Sequence, residues 1–114
     1  MEAKRKFKII YSGIADKFLQ QIGSKIREKI IYNINKASYV IDPKLFKKLE
    51  NTDIWEFRTL YGGIQYRLLA FWDTSEDIVT LVIATHGFIN KTQKTPRKEI
   101  DKAKEIMKDY YNQK

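Results

Sequence analysis

The sequence has no cysteine and a single histidine, His86. The first absence removes thiolate nucleophiles, cysteine-based zinc sites and any disulfide framework. The second excludes a site built from several imidazoles. No apolar run approaches the 18 or so residues that a membrane span requires; runs such as Leu81 to Ala84 are far shorter. The basic start (Lys4, Arg5, Lys6, Lys8) leads into no apolar stretch of the kind a signal peptide carries. Glycine-rich phosphate loops, HExxH, Gly-x-Ser-x-Gly and acid clusters suited to two-metal catalysis are also missing. Acidic charge is scarce, with 14 Asp and Glu against 22 Lys and Arg, a net charge of +8.

What is present is 114 residues, 43% of them hydrophobic. That suits one domain over 1–114, large enough to bury roughly 65% of the surface its unfolded chain exposes without a covalent staple. The expectation is a cytoplasmic protein with no membrane association. Its basic excess favours a polyanionic partner, because each neutralised phosphate releases condensed counterions. The charge is also local. Residues 89–98 hold four basic residues and no acid, whereas Asp73, Glu76 and Asp77 gather in another loop.

Lys6 to Tyr11 mixes β-branched and aromatic residues and predicts a first strand. Ser12 then caps a long helix, with Ile14, Phe18, Ile22, Ile26, Ile30 and Ile34 recurring every four residues and Gly23 marking a kink or close approach. Asp42-Pro43 opens a short helix through Leu45, Phe46 and Leu49. Three strands follow: Ile54 to Tyr61, Ile64 to Trp72 across a Gly62-Gly63 turn, and Ile78 to Phe88. Thr95-Pro96 caps a last helix with Ile100, Ala103, Met107 and Tyr110 on one face. The order β-α-α-β-β-β-α predicts an α+β domain, its helices packed on one face of a small, twisted, mainly antiparallel sheet.

A two-residue turn at Gly62-Gly63 places Arg58 opposite Arg67 and Leu60 opposite Gln65. Alternation sends Trp55, Phe57, Thr59, Tyr61, Ile64, Tyr66, Leu68, Ala70 and Trp72 to the core face, and Glu56, Arg58, Gln65 and Arg67 to the other. Facing arginines repel, and Glu56, diagonal to Arg67, offsets only part of that. A bound oligoanion would account for them, since guanidinium forks match phosphate oxygens; the alternative is a solvated face tied by Glu–Arg pairs. His86 joins the arginine face, opposite Gln65, if the preceding loop has four residues, and turns into the core if it has five. Beside arginines an imidazole can move a proton near neutral pH. Lys91, Lys94 and Arg97 would extend the basic surface, or simply be solvated. With no metal site or cofactor in view, phosphodiester chemistry from these residue types is confined to RNA, whose 2′-hydroxyl serves as nucleophile. It needs a base (Glu56 or His86), cations for the crowded phosphate (Arg58, Arg67) and an acid (His86 or a lysine).

The run Trp55-Glu-Phe-Arg-Thr-Leu-Tyr-Gly-Gly-Ile-Gln-Tyr-Arg67, then His86-Gly-Phe88, then Lys91-Thr-Gln-Lys-Thr-Pro96 leading into Glu99-Ile-Asp-Lys-Ala103, resembles the RelE/ParE toxin superfamily, and within it the phage-related HigB-type toxins. The resemblance covers nearly the whole chain, and the combination is specific where each piece alone is weak. It implies the toxin of a type II toxin–antitoxin pair, an endoribonuclease cleaving mRNA in the ribosomal A site and neutralised by a helix-turn-helix antitoxin encoded beside it. It further implies that Arg58, Arg67, Lys91 and Lys94 are the family's basic positions, with His86 in proton transfer and Glu56 as base or arginine organiser. Gln65 and Arg97 join Lys91 and Lys94 as candidate RNA contacts. The same superfamily also offers a ParE-like gyrase poison without nuclease activity, or a degenerate homologue that only binds its antitoxin.

Overall fold

The computed structural model describes residues 6–40, 42–75, 79–83, 88–89 and 94–113. In chain order the elements are β1 (Lys8–Tyr11), α1 (Gly13–Gln21), α2 (Ser24–Ala37), β2 (Phe46–Lys48), β3 (Trp55–Tyr61), β4 (Ile64–Asp73), β5 (Thr80–Ile83), β6 (Phe88–Ile89) and α3 (Arg97–Asn112). The sheet runs β1-β5-β4-β3-β2, with β6 also paired to β4. Every pairing is antiparallel except β1 with β5. The α+β class and the mainly antiparallel sheet are as the sequence predicts. Among the described residues no helix is long and apolar enough to cross a membrane.

Ser12 caps α1, its hydroxyl accepting from the Ala15 amide at 3.1 Å. The isoleucine stripe is not one helix, however. Gly23 takes φ 98° and ψ 148°, a conformation open only to glycine, and splits it into α1 and α2. The helix expected after Asp42-Pro43 is a strand. Asp42 forms a single turn, accepting from the Lys44 amide through Oδ1 at 2.9 Å and from the Phe46 amide through its carbonyl at 2.9 Å. The chain then pairs as β2, which lays Phe46 on Phe57 with ring centroids 4.2 Å apart. Too few residues stand between Asp42 and the next turn to propagate a helix, and ladder bonds satisfy the backbone instead.

The Gly62-Gly63 turn is as expected, with φ 58° and 77° at the two central residues. It sets Arg58 opposite Arg67 and Leu60 opposite Gln65. The third predicted strand occurs as β5 and β6. Asp73 pairs with Thr80, so six residues, 74–79, separate β4 from β5, more than either loop length considered for the orientation of His86. His86 itself lies outside the described residues. Two residues of β4 separate the β5 and β6 pairings, against four residues, 84–87, on the other strand.

Both sheet faces are covered. α1 and α2 close one, over Phe57, Leu68, Ala70, Leu81 and Ile83; there the buried Asn33 amide donates to Thr59 Oγ1 at 3.1 Å. The expectation of all helices on one face fails for α3. That helix sets Ala103 against Ile54, Leu69, Phe71 and Val82 on the opposite face. The reason is in the same alternation that gave the arginines: Ile54, Leu69 and Phe71 share their face and must be kept from water. At its far end α3 is pinned by Tyr110, whose hydroxyl donates to Asp73 Oδ2 at 2.5 Å, and by Tyr111, which donates to the Trp72 carbonyl at 2.6 Å.

Gly23 gives this fold a test of sign. In a continuous helix Gly23→Ala would stabilise by about 1 kcal/mol. At φ 98° it is expected to destabilise by roughly 1–3 kcal/mol through backbone strain, since nothing lies within 4 Å of an added Cβ. Urea denaturation measures the difference, and a gain in stability would rule out the break.

Candidate functional site

The arginine face is organised around a carboxylate with no solvent exposure, Glu56. Its Oε1 accepts from Arg58 Nε at 2.8 Å and lies 3.6 Å from Arg67 Nη1. Its Oε2 accepts a hydrogen bond from the Thr95 hydroxyl. Arg67 Nη1 in turn donates to Thr95 Oγ1 at 3.4 Å. Two strands and the segment leading into α3 thus meet on one side chain. The expected repulsion between Arg58 and Arg67 is real, but Glu56 reaches both guanidinium groups. Arg67 is only 4% exposed. Burial lowers its pKa below the usual arginine value, Glu56 opposes that shift, and Arg58 adds to it.

The two arginines are therefore not equivalent. Arg67 lies beneath the surface, whereas the Arg58 side chain is 25% exposed. Arg58 lines a hollow of about 310 Å³ together with Lys47, Asn51, Lys94 and Thr95. A second hollow of about 740 Å³ adjoins it, sharing Lys94 and Thr95 and extending to Arg97, Asp101 and Lys104 along α3. Together they form a groove between the β2–β3 turn and the start of α3, with Lys47, Arg58, Lys94, Arg97 and Lys104 against Glu50 and Asp101. Positive charge prevails along it.

The structure brings together Glu56, Arg58, Arg67 and Lys94 of the residues the sequence singled out. Glu56 stands where an organiser of arginines would, enclosed and bonded at both oxygens, not where a base could meet a substrate hydroxyl. Arg97 is 93% exposed at the groove's outer end, 4.0 Å from Asp101, a surface pair of little energetic weight. Gln65 is half-buried beside the hairpin turn, away from the groove. His86 and Lys91 lie outside the described residues.

Two members of the site escape a reading from sequence. Thr95 reads as a helix cap, but Pro96 is the N-cap residue of α3 and no side chain caps it. The Thr95 hydroxyl is turned to Glu56 instead. Lys47 was hidden inside the expected short helix; as the middle residue of β2 it pairs with Glu56.

Residues 17–108 match the family described as Phage derived protein Gp49-like (DUF891). The chain belongs to this RelE-like toxin family. Among curated proteins none matches it. Membership covers most of the chain, from α1 to the last turns of α3, and includes every part of the Glu56 cluster. The family is associated with the toxins of toxin–antitoxin systems.

Removing the carboxylate would leave two neighbouring guanidinium groups with their shared anion gone. Glu56→Ala is expected to cost about 3 kcal/mol or more of unfolding free energy, read from urea denaturation. A cost below about 1 kcal/mol, typical of an exposed pair, would show that the cluster is not held by Glu56.

Proposed function

We propose that this protein is a HigB-type toxin of a type II toxin–antitoxin pair that cleaves mRNA on the ribosome. The observation that supports this reading best is Arg58: a guanidinium held by a buried carboxylate, half-open to a basic groove that also carries Lys47 and Lys94. A phosphodiester in that groove meets a planar fork of donors already fixed in direction, which is how charge developing on a crowded phosphate is stabilised. The RNA 2′-oxygen attacks the adjacent phosphorus and the 5′-oxygen leaves; the 2′-hydroxyl proton passes to a base, and an acid returns one to the leaving oxygen. His86, by residue type and by its place in the His-Gly-Phe motif, is assigned this proton transfer. Lys47, Lys91 and Lys94 hold the backbone on either side, and Arg67 keeps Glu56 and Arg58 in place from below. A helix-turn-helix antitoxin is the expected neutralising partner.

Arg58→Ala tests the reading more cleanly than a substitution at Arg67, because Arg58 is the arginine at the surface. Induction of the wild-type chain in bacteria is expected to arrest growth and to create new in-frame mRNA 5′ ends; the variant should do neither while remaining folded. Arrest without new ends would favour a gyrase poison, and no arrest a degenerate homologue. Lys47→Ala and Lys94→Ala are each expected to lower the salt slope of RNA binding by about 1. An unchanged slope would return these lysines to ordinary solvated surface.

A further inference from the structure

We propose that Thr95 is a positioning residue: its hydroxyl, joined to Glu56 and Arg67 at once, fixes the direction in which the Arg58 guanidinium faces the groove. This rests on the nuclease reading above and assigns a role within that site.

The terminal torsion of glutamate is broad and intrinsically weakly held, so the orientation of Glu56 depends on what its oxygens bind. Oε1 accepts from Arg58 at 2.8 Å, and Oε2 accepts from the Thr95 hydroxyl. With both oxygens engaged the carboxylate cannot turn, and the Nε–H of Arg58 must point along one line. Arg67, donating to Thr95 Oγ1 at 3.4 Å, uses the hydroxyl's acceptor side while its proton goes to Glu56. Thr95 thereby closes a ring with Glu56 and Arg67, joining β3, β4 and the segment before α3, and Arg58 is bonded to that ring through Glu56.

The hydroxyl is itself well held. Thr95 is 6% exposed, and Pro96 follows it with φ −59°. A residue before proline is driven to extended backbone, and β-branching limits the side chain to few rotamers. The Thr-Pro pair, which in sequence reads as the start of a helix, is spent on aiming one hydroxyl into the sheet. Thr95 also lines the hollow that contains Arg58. Its effect on substrate is exerted through the arginine, since the hydroxyl's bonds run inward.

The test compares wild-type, Thr95→Ser and Thr95→Val proteins, the valine preserving shape and the serine preserving the hydroxyl. Single-turnover cleavage on ribosomes programmed with a short mRNA gives a maximal rate and a half-saturating concentration. The valine variant is expected to lose roughly a hundred-fold in maximal rate, the scale of a small misplacement of a reacting group, with half-saturation unchanged. The serine variant should cleave like wild type. In ¹⁵N spectra, the Arg58 Nε–H resonance should move in the valine variant and stay in place in the serine variant. A valine variant that cleaves at the wild-type rate, or a serine variant equally impaired, overturns the proposal. An unmoved Arg58 resonance in the valine variant overturns it as well, whether or not any variant cleaves RNA. Failure of the wild-type protein to cleave overturns the nuclease reading instead, and the resonance is independent of that result.

Discussion

A single buried anion sets the terms for the rest of this structure. Glu56 has no solvent exposure and binds groups from three separate segments, Arg58 beside it on β3, Arg67 across the hairpin on β4, and Thr95 ahead of α3. An isolated carboxylate could not be enclosed in this way, because its desolvation would cost several kcal/mol. The facing arginines, which repel each other in the empty sheet, are what make the enclosure tolerable. The carboxylate in turn lets Arg67 be almost wholly removed from water, and opposes the fall in its pKa that burial causes. Each charge is thus acceptable only because the others are present, and this mutual dependence ties the position of α3 to the register of the β3–β4 hairpin.

The register was legible in the sequence and the surroundings were not. Two consecutive glycines between alternating strands admit few turn geometries, so the Arg58–Arg67 pair followed from counting. Alternation also separated the two faces, except that Ile64, expected in the core, stands beside the turn and is 40% exposed because the helices do not reach that end of the hairpin. Placing every helix on the other face leaves the arginine face without a helix, although Ile54, Leu69 and Phe71 on that face demand the cover that α3 gives them. The site is consequently layered, with Arg58 at the surface and Arg67 and Glu56 below it. Gly23 reads in the sequence as a kink or close approach, but the isoleucine spacing continues across it and gives no sign that the helix breaks there completely. Phe46 was misassigned for a related reason. A three-residue strand is too short to display alternation, and Asp-Pro announces a turn as readily as a helix.

The role of Thr95 illustrates a wider limit. Threonine before proline is a local signal for helix initiation, and nothing local distinguishes that use from a hydroxyl aimed at a side chain 39 residues earlier. Long-range polar contacts carry no periodicity. They become visible only once the apolar pattern has folded the chain and the remaining buried polar atoms must be given partners. A RelE-like scaffold does not by itself fix an activity, so the proposed nuclease role rests on this polar layer and not on the fold.

Glu56 and Thr95 are expected to act as one unit, because the hydroxyl and the carboxylate are bonded to each other. A double-mutant cycle between Glu56→Gln and Thr95→Val, read by urea denaturation, measures their coupling directly. The double variant is expected to lose little more stability than the worse of the two single variants, a coupling of about 1 kcal/mol or more. Simple additivity of the two losses would contradict it.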